Sequence, residues 1–273
     1  MPHPTILLNN GLAMPQLGLG VWRSAEGAET ETAVACAIET GYRLIDTATI
    51  YRNEASVGRG IRASGIPRED LFVTTKLWNQ DAREDRARAA CLESLDRLGL
   101  DYLDLYLLHW PVPGKFLAAW EALEQLHAEG RLRAIGISNF LVHHLEALLP
   151  HVQTMPAVNQ IEFHPRLQSP ALVRRCRDLG IVVEAWSPIM RGRVNEEPEI
   201  VALAKRLGKT PVQVTLRWQI QLGLVTIPKS ANPDRIRANA ELFDFELSEA
   251  DMALMDSLDT NLRLGPDPDH FDF

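Results

Sequence analysis

The chain has 273 residues, 46% of them hydrophobic and 23% charged, with a formal net charge of -8 at pH 7. That acidic balance excludes a general nucleic-acid surface, and no apolar run reaches the roughly 18 residues of a membrane span. The length is compatible with two domains, but barrels of this size fold as one; no linker splits the chain, so a single domain over residues 1–273 is expected.

The first fifteen residues, MPHPTILLNNGLAMP, lack a basic stretch followed by a long apolar one and do not read as a secretory leader. Asn10-Gly11 sits there between two short apolar runs, a hairpin signal expected to cap the bottom of a barrel. A repeating pattern follows, in which an amphipathic stretch ends in Gly and a short apolar run comes next. TAVACAIETG ends at Gly41 before YRLID, ARAACLESLDRLG at Gly99, FLAAWEALEQLHAEG at Gly130 and ALVRRCRDLG at Gly180. Ala87, Cys91, Leu95 and Leu98 share one helical face, as do Phe116, Trp120 and Leu123. Glycine supplies the left-handed residue that stops each helix. The runs after them are apolar at successive positions, as in strands covered on both faces.

Eight candidate strands result, at 17–21, 42–46, 71–76, 103–108, 132–138, 157–161, 181–186 and 224–228. Their alternation with helices predicts an α/β fold with a parallel sheet closed as a (β/α)8 TIM barrel; a doubly wound open sheet is the alternative. Two extra helices are expected. TPVQVTLRWQIQLG has Thr210 as N-cap and Pro211 at its first position, and SEADMALMDSLD starts from Ser248. The tail LRLGPDPDHFDF reads as irregular, and its shortness suggests an open pocket. GRGIRA at 58–63 fits a G-x-G-x-x-A phosphate loop only on paper, because no strand precedes it; Gly58 and Gly60 are expected to allow close helix packing. Cys36, Cys91 and Cys176 are far apart in helix-like segments. They read as core thiols in a reducing cytoplasm, with neither disulfides nor a metal site.

In such a barrel the chemistry lies at the C-terminal ends of the strands. The second strand ends at Asp46 with Tyr51 beyond it, the third at Lys76 and the fourth at His109. Taken singly, an Asp there is a turn residue, a Tyr packs, a Lys reaches for solvent and a His fills space. Together at one mouth they make a coherent set. Lys76 offsets the cost of a buried Asp46, and its charge is expected to lower the Tyr51 phenol. Such a phenol can protonate a developing alkoxide, with His109 orienting the carbonyl oxygen. Ser138, Asn139 and Gln160 end the fifth and sixth strands and can bind a carboxamide. Trp186 offers a flat face. Lys229, Ser230 and Arg235 surround a helix N-terminus capped by Asn232, an anion site. Trp22, Trp78 and Trp110 form an expected substrate pocket with His109.

GYRLIDTATIYRNEASVG, TTKLWN, LDLYLLHWP, GISNF and IPKSANPDRIRAN, in this order, resemble the aldo-keto reductase family, most closely its bacterial 2,5-diketo-gluconate reductase-like branch. The resemblance covers nearly the whole chain. It implies a barrel that binds NADPH and reduces aldehydes or ketones of small carbonyl compounds, with a tetrad of Asp46, Tyr51, Lys76 and His109 and Tyr51 as general acid. It further implies that Ser138, Asn139 and Gln160 hold the nicotinamide amide, that Trp186 stacks on the ring, and that Ser187 and Ile189 belong to the cofactor site. Lys229, Ser230 and Arg235 would take the 2′-phosphate, with Asn239 near the adenine. Two departures, Ala238 where the family often has Glu and Asn232 where some relatives have Arg, bear on adenosine binding; NADPH is still expected over NADH. A monomer is the default. Two other readings are an aldolase using Lys76 as a Schiff base and a non-catalytic nucleotide-sensing subunit of the same fold.

Overall fold

A computed structural model describes residues 4–271 and 273. Its strands are β1 (Thr5–Leu7), β2 (Ala13–Pro15), β3 (Gly18–Gly20), β4 (Leu44–Asp46), β5 (Phe72–Leu77), β6 (Leu103–Leu108), β7 (Leu132–Ser138), β8 (Val158–Glu162), β9 (Val182–Trp186) and β10 (Val225–Thr226). β3 to β10 lie side by side in chain order, all parallel. Parallel bridges Leu17–Thr226 and Gly20–Lys229 join the first of them to the last, and the Thr226 amide donates to Gln16 O at 2.8 Å. The eight expected strands are therefore all present, in a closed (β/α)8 barrel rather than an open sheet.

β10 is the shortest of the eight. Pro228 has no N–H for the ladder, and beyond it only the Lys229 bridge continues the pairing. β1 and β2 form the expected antiparallel hairpin, with Gly11 at its turn in left-handed conformation, φ 83°. Asn9 Nδ2 donates to Pro156 O at 2.9 Å and Asn10 Nδ2 to Arg133 O at 3.0 Å. Those acceptors lie where β8 and β7 begin, so the hairpin plugs the bottom.

The core has two shells. Leu44, Phe72, Leu105, Leu107, Ala134, Val158, Val182, Val225 and Ile227 fill the barrel together with Leu8 and Met14 of the hairpin. A larger cluster lies between strands and helices and includes Trp120 and Trp218. Each large apolar side chain fully withdrawn from water contributes about 1.5–3 kcal/mol, which makes this outer shell the main source of stability. Cys36, Cys91 and Cys176 are buried in it as free thiols, and burial pushes Cys91 up to about 12 and Cys176 to about 11.

Helix ends follow the glycine signals with one variation. Gly41 and Gly99 cap their helices directly, φ 110° and 67°. Gly130 and Gly180 stand one residue past the cap. The helix Pro211–Gln221 begins at Thr210, whose hydroxyl accepts from the Gln213 amide at 3.1 Å while Gln213 Oε1 accepts from the Thr210 amide at 2.9 Å, a reciprocal cap. Ser248 caps Glu249–Asp256 in the same manner. GRGIRA lies within the helix Glu54–Ser64. A Cβ on Gly58 would stand 2.0 Å from Leu98 O, and one on Gly60 2.9 Å from Val34 Cβ, so these glycines serve close helix packing.

Candidate active site

Asp46 is the last residue of β4 and Lys76 the penultimate one of β5, with 2% and 0% exposure; His109 follows β6 at 9%. Thr49–Tyr51 form one 3-10 turn beyond β4. Asn53 pins that loop: Thr47 Oγ1 donates to its Oδ1 at 2.8 Å, and its Nδ2 donates to Val21 O at 2.9 Å and Ser24 O at 3.1 Å. The Tyr51 ring is thereby held with its centroid 5.2 Å from Lys76 Nζ and meets the His109 ring edge-on at 5.9 Å. The four predicted groups converge.

Lys76 Nζ donates to both Asp46 oxygens at 2.7 and 2.8 Å and to Thr47 O at 2.8 Å. Burial pulls this ammonium down, but Asp46, aided by Tyr51 and Glu184, outweighs burial and holds it above its ordinary value. A protonated amine with no exposure has no lone pair for a carbonyl, which removes the Schiff-base reading. The phenol corrects an expectation. Burial raises Tyr51 more than Lys76 lowers it, and Asp46 and Glu184 raise it further, so its net shift is upward. His109 is held well below its usual range by burial and then by the Lys76 charge, so its ring is neutral at pH 7. Its Nδ1 is buried without a partner among the described residues.

Across the mouth, Ser138 Oγ donates to Gln160 O at 2.9 Å. Asn139, in left-handed conformation at φ 64°, donates from Nδ2 to His109 O at 3.0 Å and to Ser138 Oγ at 3.1 Å, and its Oδ1 accepts from Trp186 Nε1 at 2.8 Å. Trp186, Ser187 and Ile189 are half-buried. Ser187 Oγ is buried without a partner among the described residues, and Ser187, Met190, Arg191 and Gly192 all have positive φ. Past β10, Lys229 is half-buried, Ser230 and Asn239 are buried and Arg235 is exposed. Asn232 Oδ1 accepts from the Arg235 amide at 3.1 Å and caps the helix Pro233–Ala240. The Ser230 hydroxyl accepts from the Asn232 amide at 3.1 Å.

Trp78 meets His109 edge-on at 5.3 Å, and Trp110 follows His109 directly. Trp22 is 39% exposed, with the guanidinium of Arg23 over its ring at 4.3 Å and that of Arg191 at 5.5 Å. The expected open mouth is not observed, because the tail crosses it. Phe273 stacks on Trp78 at 5.6 Å, and Phe271 and Phe273 pack on Trp110 at 5.1 and 5.2 Å. Several ties hold the tail. Glu162 accepts from the Leu264 amide at 2.8 Å, Asp269 Oδ1 accepts from His143 at 2.9 Å, and Asn79 Nδ2 donates to Phe273 O at 3.1 Å. These aromatics were missed because nothing in LRLGPDPDHFDF says where the chain returns. Glu184 was missed as well. It is fully buried in β9, an acid inside the apolar run IVVEAW, and that signal was available.

The aldo/keto reductase family model matches residues 16–260. Glyoxal reductase of Bacillus subtilis (strain 168) is 50% identical over 269 residues, covering 98% of both chains. Morphine 6-dehydrogenase of Pseudomonas putida is 50% identical over 281 residues, covering 97% of this chain and 94% of that protein. The crystal structure of an aldo-keto reductase from Bombyx mori in complex with NADP superposes with a TM-score of 0.91 at 38% identity, over 98% and 97% of the two chains.

Proposed function

The chain belongs to the aldo/keto reductase family, and from that premise we propose that Asp46, Tyr51, Lys76 and His109 are the catalytic centre of its NADP-dependent reduction of carbonyl compounds. The observation that carries this assignment is the buried Lys76–Asp46 pair directly beneath Tyr51, beside a neutral His109.

Tyr51 keeps its proton at neutral pH and donates it to the carbonyl oxygen as the C=O bond becomes an alcohol. Lys76, fixed by Asp46, supplies a positive charge that steadies the tyrosinate left behind. His109, uncharged, orients the substrate oxygen by hydrogen bonding. Trp78 and Trp110, with Phe271 and Phe273 over them, exclude water and give an apolar seat for a small carbonyl compound.

NADPH supplies the hydride when bound. The chain fits it: the buried Ser187 hydroxyl, without a partner among the described residues, is an unspent polar group directly after Trp186. In this reading Ser138, Asn139 and Gln160 take the carboxamide, Trp186 the ring, and Ser187 and Ile189 the middle of the cofactor. Lys229, Ser230 and Arg235 take the 2′-phosphate, and Asn239 lies at the adenine. The glyoxal reductase relative supports small aldehydes as substrates; α-ketoaldehydes and keto-sugars belong to the same proposed class. The three buried thiols support a reducing cytoplasm, and the reading extends to a one-domain monomer, which light scattering would check.

Steady-state assays with small aldehydes test the cofactor assignment. We expect kcat/KM with NADPH to exceed that with NADH by at least about tenfold, the scale of a lost charge-assisted contact set. A preference for NADH would overturn the roles of Lys229, Ser230 and Arg235.

A further inference from the structure

Glu184 takes no part in the chemistry above, yet it is fully buried in β9, opposite Gln160 of β8 in the strand register. Gln160 Nε2 donates to Asp46 Oδ2 at 2.8 Å and to Glu184 Oε2 at 2.7 Å. Both hydrogens of its side-chain amide are thereby spent on carboxyl groups. An ionised carboxylate only accepts, and Asp46 is the ionised member, bound through both oxygens by Lys76. Turning the amide over would place Gln160 Oε1 against that anion. The orientation of this amide is therefore dictated by its partners. Its Oε1 is left as the free end, with no partner among the described residues.

One tether would not hold that end. An amide bonded to Asp46 alone can swivel about its single N–H bond, whereas a second acceptor at a different angle fixes the plane. We propose that Glu184 is a positioning residue that, with Asp46, locks the Gln160 amide so that its oxygen, an acceptor, is what the nicotinamide carboxamide meets. This rests on the reading that Gln160 contacts the carboxamide. It also makes the cofactor seat and the Lys76–Asp46 pair one network, joined through a single nitrogen.

The charge state agrees. Burial pushes both carboxyls up, Glu184 to about 8 with the nearby Asp46 charge adding to it, while the Lys76 ammonium opposes the rise at Asp46. A protonated carboxyl still offers Oε2 to Gln160, while Oε1 has no partner among the described residues.

The test compares binding of NADP+ and of its 3-acetylpyridine analogue, in which a methyl ketone replaces the amide and no N–H remains. The wild-type enzyme should bind NADP+ about 2- to 12-fold more tightly, the equivalent of one neutral hydrogen bond. Glu184→Met fills the same space without an acceptor and should weaken NADP+ by that factor while leaving the analogue within about twofold, so that discrimination disappears. Glu184→Gln keeps an acceptor and should retain it. Equal binding of both ligands by the wild type, loss of discrimination in Glu184→Gln, or unchanged discrimination in Glu184→Met would each overturn the proposal. If Glu184→Met does not fold, Glu184→Leu, which also lacks an acceptor, takes its place with the same expected and contrary results. Wild-type NADPH-dependent turnover is measured alongside: its absence counts against the proposed function, whereas an active enzyme with the wrong binding pattern counts against the role of Glu184 and the Gln160 contact it positions.

Discussion

At Tyr51 two influences oppose each other. The Lys76 ammonium favours tyrosinate, while burial and the negative charge of Asp46 favour the phenol, with Glu184 adding to them once it is ionised, and burial is the largest of these. A general acid raised above its ordinary value of 10 keeps its proton through the whole neutral range. His109, lowered well below 6.5, gains a proton only in distinctly acid solution. With an acid that must be protonated and an imidazole that must be neutral, kcat/KM for reduction should show no transition near 6.5, with the Tyr51 limb only above its ordinary value of 10. A pH profile would check this; a transition near 6.5 would show that His109 acts as an imidazolium. Asp46 was legible in the sequence because an acid at the exit of an apolar strand demands a partner. Glu184 carries the same signal two residues before Trp186, an acid inside an apolar strand that demands a partner. The direction of the Tyr51 shift was not legible, because it depends on how far the folded mouth withdraws the ring from water.

Among the elements, the helix Glu54–Ser64 shows local preference yielding to packing. Gly58 lies in its interior, where alanine would normally gain about 1 kcal/mol. A Cβ there would stand 2.0 Å from the Leu98 carbonyl oxygen, which is backbone and cannot rotate away. Overpacking costs about 1–3 kcal/mol, and the fixed neighbour puts this site at the upper end. Gly58→Ala should therefore lower unfolding stability in urea by about 1–2 kcal/mol; an unchanged or raised midpoint would mean that the helices separate freely. Element types and order were legible because the eight apolar runs, the glycine stops and the Thr210 and Ser248 caps agree with one another. Ends were less so. β10 is cut short by Pro228, and the helices before Gly130 and Gly180 stop one residue early, because an αR residue occupies the cap position.

For the molecule as a whole, the barrel delivers Asp46, Lys76 and His109 to one mouth, the hairpin closes the other end, and the tail crosses the site. The closed barrel followed from eight alternating units, but the tail's course did not, since it depends on contacts with Glu162, His143 and Asn79 that are far away in sequence. Removing one ring of the aromatic cover should loosen the substrate seat. Phe273→Ala is expected to raise KM for small aldehydes by about 2- to 12-fold, as one aromatic contact is worth, with kcat nearly unchanged; an unaltered KM would place Phe273 outside the pocket. The central claim is that Tyr51 gives the proton. The direct measurement is turnover of Tyr51→Phe with NADPH and a small aldehyde, beside the dissociation constant for NADPH. The account predicts binding within about twofold of the wild type and kcat lower by at least about 100-fold, the contribution of a positioned general acid. Turnover close to the wild-type value, with the cofactor bound, would contradict it.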